Sequence, residues 1–421
     1  MKLAVIGGGS TYTPELADGI GRLLPSVEEL VLVDPDPGRL AAVGPVSARI
    51  MAAHGHPARV RWTGRLEDGT DGADAILFQL RVGGQAARQR DETWPLDCGC
   101  VGQETTGAGG LAKALRTVPL VLDLAERARR RASPSAFIID FTNPVGIVTR
   151  ALLSAGHRAI GLCNVAIGFQ RDFASLLGVS PSRVSLGHVG LNHLTWERSV
   201  FLDGVDVLPE LLRKHAEEIA PHIGLAADFI RHLGMVPSYY LRYYYAHDAV
   251  VASQRGAVTR AEEVARLEAE LLELYADPAL DTKPPQLARR GGAYYSEAAV
   301  DLLVALTGQA DAGQTLVVNT GNGRTLPFLP ADAVIEVPAA VGPGGAVPMP
   351  AAPAAGIEPL LRGLISHVYA YEELALDAAI RGGRNRVYDA LLAHPLVGQA
   401  DQAQRLTDRL IAENAPYLPW A

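Results

Sequence analysis

The first 34 residues constrain the fold more than any other part of the chain. Leu3-Ala4-Val5-Ile6 is a continuous apolar run, the pattern of a strand buried on both faces. It breaks into Gly7-Gly8-Gly9-Ser10, a turn whose backbone can approach a pyrophosphate closely because no Cβ stands in the way. A helix is predicted from Pro14-Glu15 onward, with proline in the first turn, where its missing N–H costs little, and with Leu16, Ile20, Leu23 and Leu24 along one side. Glu29-Leu30-Val31-Leu32-Val33-Asp34 then reads as a second strand ending in an acid. Strand, glycine turn, helix, strand and acid make up the unit that binds a dinucleotide, the turn on the pyrophosphate and the carboxylate on the adenosine ribose. One departure from GxGxxG is Tyr12, which stands at the third glycine position after Gly7 and Gly9. An ordinary strand-to-helix turn is the alternative.

Further parallel strands are predicted at Ala75-Ile76-Leu77-Phe78-Gln79-Leu80 and Ala136-Phe137-Ile138-Ile139-Asp140-Phe141, separated by a helix over 112–132. Ligands of open α/β sheets bind at the carboxyl ends of the strands, so Arg81 through Arg90 and Thr142-Asn143-Pro144 fall beside the dinucleotide. Between them, the glycine-dense stretch Gly99 to Gly110, with Gln103-Glu104-Thr105 inside it, reads as a loop packed against a ligand, or else as a flexible surface loop.

From about residue 170 the alternation of strand and helix loosens. Residues 186–201 alternate like a strand, and helices are predicted over 208–220, 226–233, 260–275 and 356–380. The fold class is therefore α/β, an N-terminal Rossmann-type doubly wound parallel sheet (1–168) followed by an α+β domain (169–421). With 421 residues, 48% hydrophobic and 20% charged, the chain has apolar material for two cores. The Gly/Pro/Ala-rich stretch 338–353 reads as a loop. Tyr239-Tyr240-Leu241-Arg242-Tyr243-Tyr244-Tyr245 concentrates five of the 13 tyrosines in seven residues; packing surface is one reading and a base with a cation-lowered pKa the other.

A net charge of −8 speaks against nucleic-acid or anionic-membrane partners. The three cysteines, Cys98, Cys100 and Cys163, fit no disulfide framework. Together with an apolar start too short for a signal-peptide core and no run long enough to span a bilayer, they lead to the expectation of a cytoplasmic protein. Cys163, beside Asn164 at the end of the apolar run Ala159-Ile160-Gly161-Leu162, and His193 in Gly190-Leu191-Asn192-His193-Leu194 can offer a thiolate and an imidazole to one divalent metal. Two protein ligands leave positions open for substrate hydroxyls. A small buried hydrophobe and a satisfied core histidine are the alternatives.

The motifs GGGSTYTPEL, RVGGQAARQRDE, GQETTGAGG, FTNPVGIVT, GLCNVAIG, GLNHLTW, YLRYYY and RGGAYYSEAA, in this order over almost the whole chain, resemble glycoside hydrolase family 4, in particular its 6-phospho-β-glucosidase branch. The family is an exception to the usual two-carboxylate scheme of sugar hydrolysis. The resemblance implies a second domain like that of lactate dehydrogenase, NAD and a divalent metal, most often Mn2+, as cofactors, and a phosphorylated β-glucoside or disaccharide 6-phosphate as substrate. A homo-oligomer, dimer or tetramer, is expected. The implied reaction oxidises C3 of the sugar, deprotonates C2, eliminates the aglycone, adds water and re-reduces C3, so that NAD is required but not consumed.

Residue by residue, the resemblance implies Cys163 and His193 as metal ligands, Tyr240 as the proton-abstracting base and Glu104 as the group that raises its basicity. It implies Arg88, Asn143 and Arg260 as substrate-binding residues, with Gly7, Gly8, Gly9, Ser10 and Asp34 on the cofactor. Asn164 stands where α-specific relatives carry an acidic Asp, which points to β-glycosides. Ala166 departs from the usual CNVP. A 2-hydroxy-acid-type dehydrogenase and a non-catalytic NAD/sugar-phosphate sensor are the competing readings.

Overall fold

The computed structural model describes residues 1–291, 294–309, 314–351 and 356–421. Gly292 and Ala293 of the RGGAYYSEAA motif, and residues 352 and 353 of the expected loop, lie outside the described residues. The first half of the sheet is parallel: β1 (Lys2–Ile6), β2 (Glu29–Val33), β3 (Arg59–Thr63), β4 (Ala75–Phe78), β5 (Phe137–Asp140) and β6 (Ala159–Gly161). Their order in space is β3-β2-β1-β4-β5-β6, the doubly wound arrangement in which the strand order reverses between β1 and β4. Helices cover both faces, so successive residues of one strand enter opposite cores. Ala4 and Ile6 join Val31, Ile76 and Phe78 on one side, while Leu3 and Val5 join Leu30, Leu32 and Leu77 on the other. This two-sided burial is why Leu3–Ile6, Leu30–Val33 and Ala75–Phe78 are continuously apolar.

The second half adds β7 (Val184–Leu191), β8 (Leu194–Leu202), β9 (Val205–Asp206), β10 (Val236–Pro237), β11 (Gln314–Gly321), β12 (Val334–Gly342) and β13 (Gly345–Pro348). Both halves share one 13-stranded sheet among the described residues. The junctions are narrow: β6 meets β11 at Gly161 opposite Asn319, and β12 meets β7 at Glu336 opposite Gly190. A Cβ at Gly161 would lie 2.7 Å from Val145 Cγ1 and 2.9 Å from Asn319 Cβ, so only glycine lets the strands join there. The boundary expected at 168/169 falls inside the helix Val165–Leu177.

Two expectations need correction. Residues 338–353 are not simply a loop, because β12 and β13 pair antiparallel from Ala339 with Pro348 to Gly342 with Gly345. The glycines and proline that signalled a loop form the tight turn of this hairpin. The glycine-dense loop likewise ends at Thr106, since Gly107 opens the helix Gly107–Arg129. A Cβ at Gly109 would stand 2.6 Å from the Asp91 carbonyl oxygen, and one at Gly110 2.6 Å from the Thr105 carbonyl carbon. The glycines let this first turn press against its own lead-in and against the helix Gly84–Asp97. The helices expected in the second half are found as Leu208–Ile223, Ala227–Leu233, Arg260–Tyr275 and Pro359–Arg381. No helix among the described residues is long and apolar enough to cross a membrane.

Candidate active site

At the carboxyl ends of β1, β2 and β4 the chain opens into a cavity of ≈ 1010 Å³ whose lining includes Gly7, Ser10, Asp34, Arg88, Glu104, Asn143, Asn164, His193, Tyr240 and Arg260. Gly7 has φ +86°, and a Cβ there would approach the Gln79 carbonyl oxygen to 2.7 Å. A Cβ at Gly8 would meet Leu32 Cβ at 2.7 Å, and one at Gly9 would meet the Asp34 carboxyl carbon at 2.8 Å. Each glycine therefore has its own steric reason. Asp34 accepts from the Gly9 N–H at 3.0 Å, and Arg39 Nε donates to the Gly9 carbonyl at 2.9 Å, which fixes turn and acid as one cradle. Tyr12, at the missing third glycine, is half-buried and packs edge-on against Tyr295 at 6.1 Å. Close helix packing is instead provided by Gly19, where a Cβ would stand 2.7 Å from Ser296 Cβ. Glu268 joins the two halves, accepting from Arg290 at 2.8 Å and from Gln85 at 3.1 Å.

Cys163 follows β6 and precedes the helix Val165–Leu177, so the backbone N–H groups of Asn164 and Val165 and the Asn192 side chain lie close enough to its sulfur to favour the thiolate. Burial, with the charge of Glu336, nevertheless pushes the thiol well up. His193 forms the turn between β7 and β8 with φ +61°, a left-handed conformation that costs about 1–2 kcal/mol when a Cβ is present. It is held by Thr105 Oγ1, 2.9 Å from its Nδ1, and by Tyr240, whose ring stacks on it at 3.6 Å and 11°. Burial pushes its pKa down to about 4, so the imidazole is neutral. With Nδ1 engaged, Nε2 remains the atom for a ligand. Cys163 and His193 both feel the charge of Glu336, and Cys163 bears on Tyr240 as well. A thiol that loses its proton on binding and a neutral imidazole suit a borderline divalent ion. No group of three or more His, Cys, Asp or Glu side chains able to hold a metal occurs among the described residues, so such an ion would keep open positions.

The tyrosine run divides by direction. Tyr239, Tyr240 and Tyr243 line the cavity. Tyr244 faces His394 at 6.4 Å, and Tyr245 lies against Phe229 at 5.2 Å. Burial, then Tyr239, holds the Tyr240 phenol well above its ordinary value, so it rests neutral.

The opposite wall is charged. Glu104, 6% exposed, accepts from Lys113 Nζ at 2.6 Å and from Arg81, and forms an ion pair with Arg88, whose Nε is 3.1 Å from Oε1. Burial opposes its ionisation, but Arg81, Lys113 and Arg88 together hold its carboxyl well below the usual range. Burial pushes Lys113 down to about 7 against the pull of Glu104. Arg88 also donates to Glu92 at 2.7 Å, and Glu92 accepts from the Ala261 N–H at 2.8 Å at the start of the helix Arg260–Tyr275. Arg88 lies within electrostatic reach of Tyr240, so Glu104 connects to the tyrosine through this guanidinium. Asn143 Oδ1 is buried without a hydrogen-bond partner. Arg260 is at the rim, its guanidinium 2.8 Å from Glu263 and 2.7 Å from the Arg289 carbonyl.

Sequence reasoning misses Lys113, Glu92 and Glu336, because no spacing rule links them, and it gives Thr105 and Asn192 no role beyond their place beside Glu104 and His193. Gln254 is another: its amide donates to the Gly102 carbonyl at 2.8 Å and accepts from the Gly102 N–H at 3.1 Å, clamping the loop that carries Glu104.

A second cavity of ≈ 20 Å³, lined by Thr105, Asn192, His193, Tyr371 and Glu372 among others, lies behind His193. Burial, then Glu373, pushes the Glu372 carboxyl from 4.5 up to about 8. A folded pKa above the unfolded one gives stability that is fully present below pH 4.5 and lost as pH rises through about 8. Glu372→Gln removes this dependence. The Tm values of variant and native protein are expected to agree near pH 4.5, and the variant to melt higher at pH 9. A constant Tm difference across that range would contradict the assignment.

Residues 2–179 match the model of the Family 4 glycosyl hydrolase, and residues 188–397 that of the Family 4 glycosyl hydrolase C-terminal domain. The chain is 37% identical to a probable 6-phospho-beta-glucosidase of Bacillus subtilis (strain 168), over 100% of this chain and 97% of that one. It is similar to the structure of the 6-phospho-beta glucosidase from Thermotoga maritima with manganese, NAD+ and glucose-6-phosphate, with a TM-score of 0.91 and 32% identity over 99% of both chains. Malate dehydrogenase from Salinibacter ruber matches 90% of this chain and 98% of its own with a TM-score of 0.54 at 18% identity, a likeness of fold alone.

Proposed function

This chain belongs to glycosyl hydrolase family 4, and from that premise we propose that it hydrolyses 6-phospho-β-glucosides with NAD and a divalent cation, Mn2+ by preference. The observation that carries the reading is the stack of Tyr240 on His193 at 3.6 Å, at the wall of the same cavity that Gly7 and Asp34 border. One sugar ring bound there meets cofactor, metal ligand and base together. NAD fits the steric cradle of Gly7, Gly8, Gly9 and Ser10 with Asp34 on its ribose, and the cation fits Cys163 and His193. When bound, the two supply reversible oxidation at C3 and Lewis-acid polarisation of the oxygen there.

The chain's own side chains do the rest. Arg88, Asn143 and Arg260 hold the substrate, the guanidinium groups suiting the 6-phosphate and the unpartnered Asn143 oxygen a sugar hydroxyl. Tyr240 takes the proton from C2 once its phenol ionises, which needs positive charge beside it. Arg88 provides such a charge. Asn164, an amide, has no acidic proton to give a leaving group, in keeping with β-glycosides. Residues 1–168 serve the cofactor and contribute Cys163 to the metal, and 169–421 contribute His193, the base and the subunit contacts of a cytoplasmic homo-oligomer.

The test is hydrolysis of 4-nitrophenyl-β-glucoside 6-phosphate with and without NAD and Mn2+. Activity that needs both, with no stoichiometric NADH release, is the expected result. Hydrolysis indifferent to both additives would overturn the proposal, and net NADH formation would mark a dehydrogenase instead.

A further inference from the structure

Beneath the two metal-binding residues lies a buried polar chain that the reaction does not use directly. His188, fully buried, has Nδ1 2.6 Å from Glu197 Oε1 and Nε2 3.2 Å from Glu336 Oε1. Ionised carboxylates only accept hydrogen bonds, so both ring nitrogens donate and His188 is an imidazolium. Two carboxylates and one imidazolium leave a net charge of minus one. Burial opposes the ionisation of Glu336, but the bond and charge of His188 keep its carboxyl below the usual range.

The second oxygen of Glu336 accepts from Asn192 Nδ2 at 2.8 Å and from Asn319 Nδ2 at 3.0 Å. The Asn192 side chain also lies within reach of the Cys163 sulfur and favours its thiolate, and Asn192 is the neighbour of His193 in the same turn. A dication facing one thiolate and one neutral imidazole keeps an uncompensated positive charge. The buried cluster carries the missing negative one and reaches the sulfur through a single amide. Supporting groups of this kind orient ligands and raise cation affinity.

Resting on the metal reading above, we propose that Glu336 is a positioning residue for the divalent cation, orienting Cys163 through Asn192 and balancing the charge that Cys163 and His193 leave open. A role confined to joining β12 to β7 would leave cation affinity unchanged.

The experiment is titration of Mn2+ into the NAD-loaded protein, with free Mn2+ read by its paramagnetic resonance signal. Glu336→Gln and Asn192→Ala are each expected to raise the Kd for Mn2+ about tenfold or more, with NAD affinity, the control for folding, within about twofold of native. Asn192 is half-buried, so its variant keeps the test open should Glu336→Gln fail to fold. A native Kd in either folded variant, alongside weakened binding in Cys163→Ser, overturns the role of Glu336 and leaves the metal assignment standing. A native Kd in Cys163→Ser removes the metal assignment and this inference with it.

Discussion

Tyr240→Phe is expected to lower kcat by about 10²–10⁴-fold, the usual range for loss of a positioned general base, with KM changed by less than about threefold. The phenyl ring can keep the 3.6 Å stack on His193, so the imidazole stays placed and binding of NAD and Mn2+ persists. Only the phenolic oxygen is lost. The signature is therefore specific: the native enzyme in heavy water places deuterium at C2 of the product sugar, and the variant does not. Tyr239→Phe and Tyr243→Phe, whose rings line the same cavity, are expected to retain kcat within about tenfold. Native turnover in Tyr240→Phe, or a comparable collapse in one of its neighbours, would move the base elsewhere in the run.

That run shows what a sequence can and cannot disclose. Five tyrosines in seven residues do not single one out by their pattern, because a short helical segment points its side chains in several directions; Tyr240 is named by the family resemblance alone. Tertiary packing narrows the run: Tyr240 meets His193 and shares the cavity with Tyr239 and Tyr243, while Tyr244 and Tyr245 turn toward His394 and Phe229. By contrast, β1, β2 and the turn between β1 and the first helix were plain, since a parallel strand covered on both faces must be apolar throughout and the turn needs glycine for local steric reasons. Strands β11 and β12 escaped notice for the opposite reason. Their runs are interrupted by Asn319 and Glu336: buried Glu336 makes sense only beside Asn192 and His188, more than a hundred residues away in sequence, and Asn319 only beside Glu336. Lys113 is similar: from its sequence position it is one more charge on a helix, and only the fold places it 2.6 Å from Glu104.

Glu104→Gln is expected to cost about 3–5 kcal/mol of stability, the scale for removing one partner of a buried ionic group, and to lower kcat/KM as well. The carboxylate is the common partner of Arg81, Arg88 and Lys113. Arg88 keeps Glu92 as a partner in the variant, whereas Lys113, 2% exposed, loses the charge that supports its ionisation. Its pKa, already about 7, is expected to fall further, and the ammonium to give up its proton at neutral pH. Adding Lys113→Met to Glu104→Gln should then restore part of the stability, with a coupling of about 0.5–3 kcal/mol for residues in direct contact. Activity separates two roles for the carboxylate. If Glu104 merely neutralises Lys113, the double variant recovers kcat along with Tm. If it acts on Tyr240 through Arg88, Tm rises while kcat stays low, because the guanidinium beside the phenol has lost one of its two paired carboxylate charges. The connection from Glu104 through Arg88 to Tyr240 requires the second result, and a double variant with native kcat would break it.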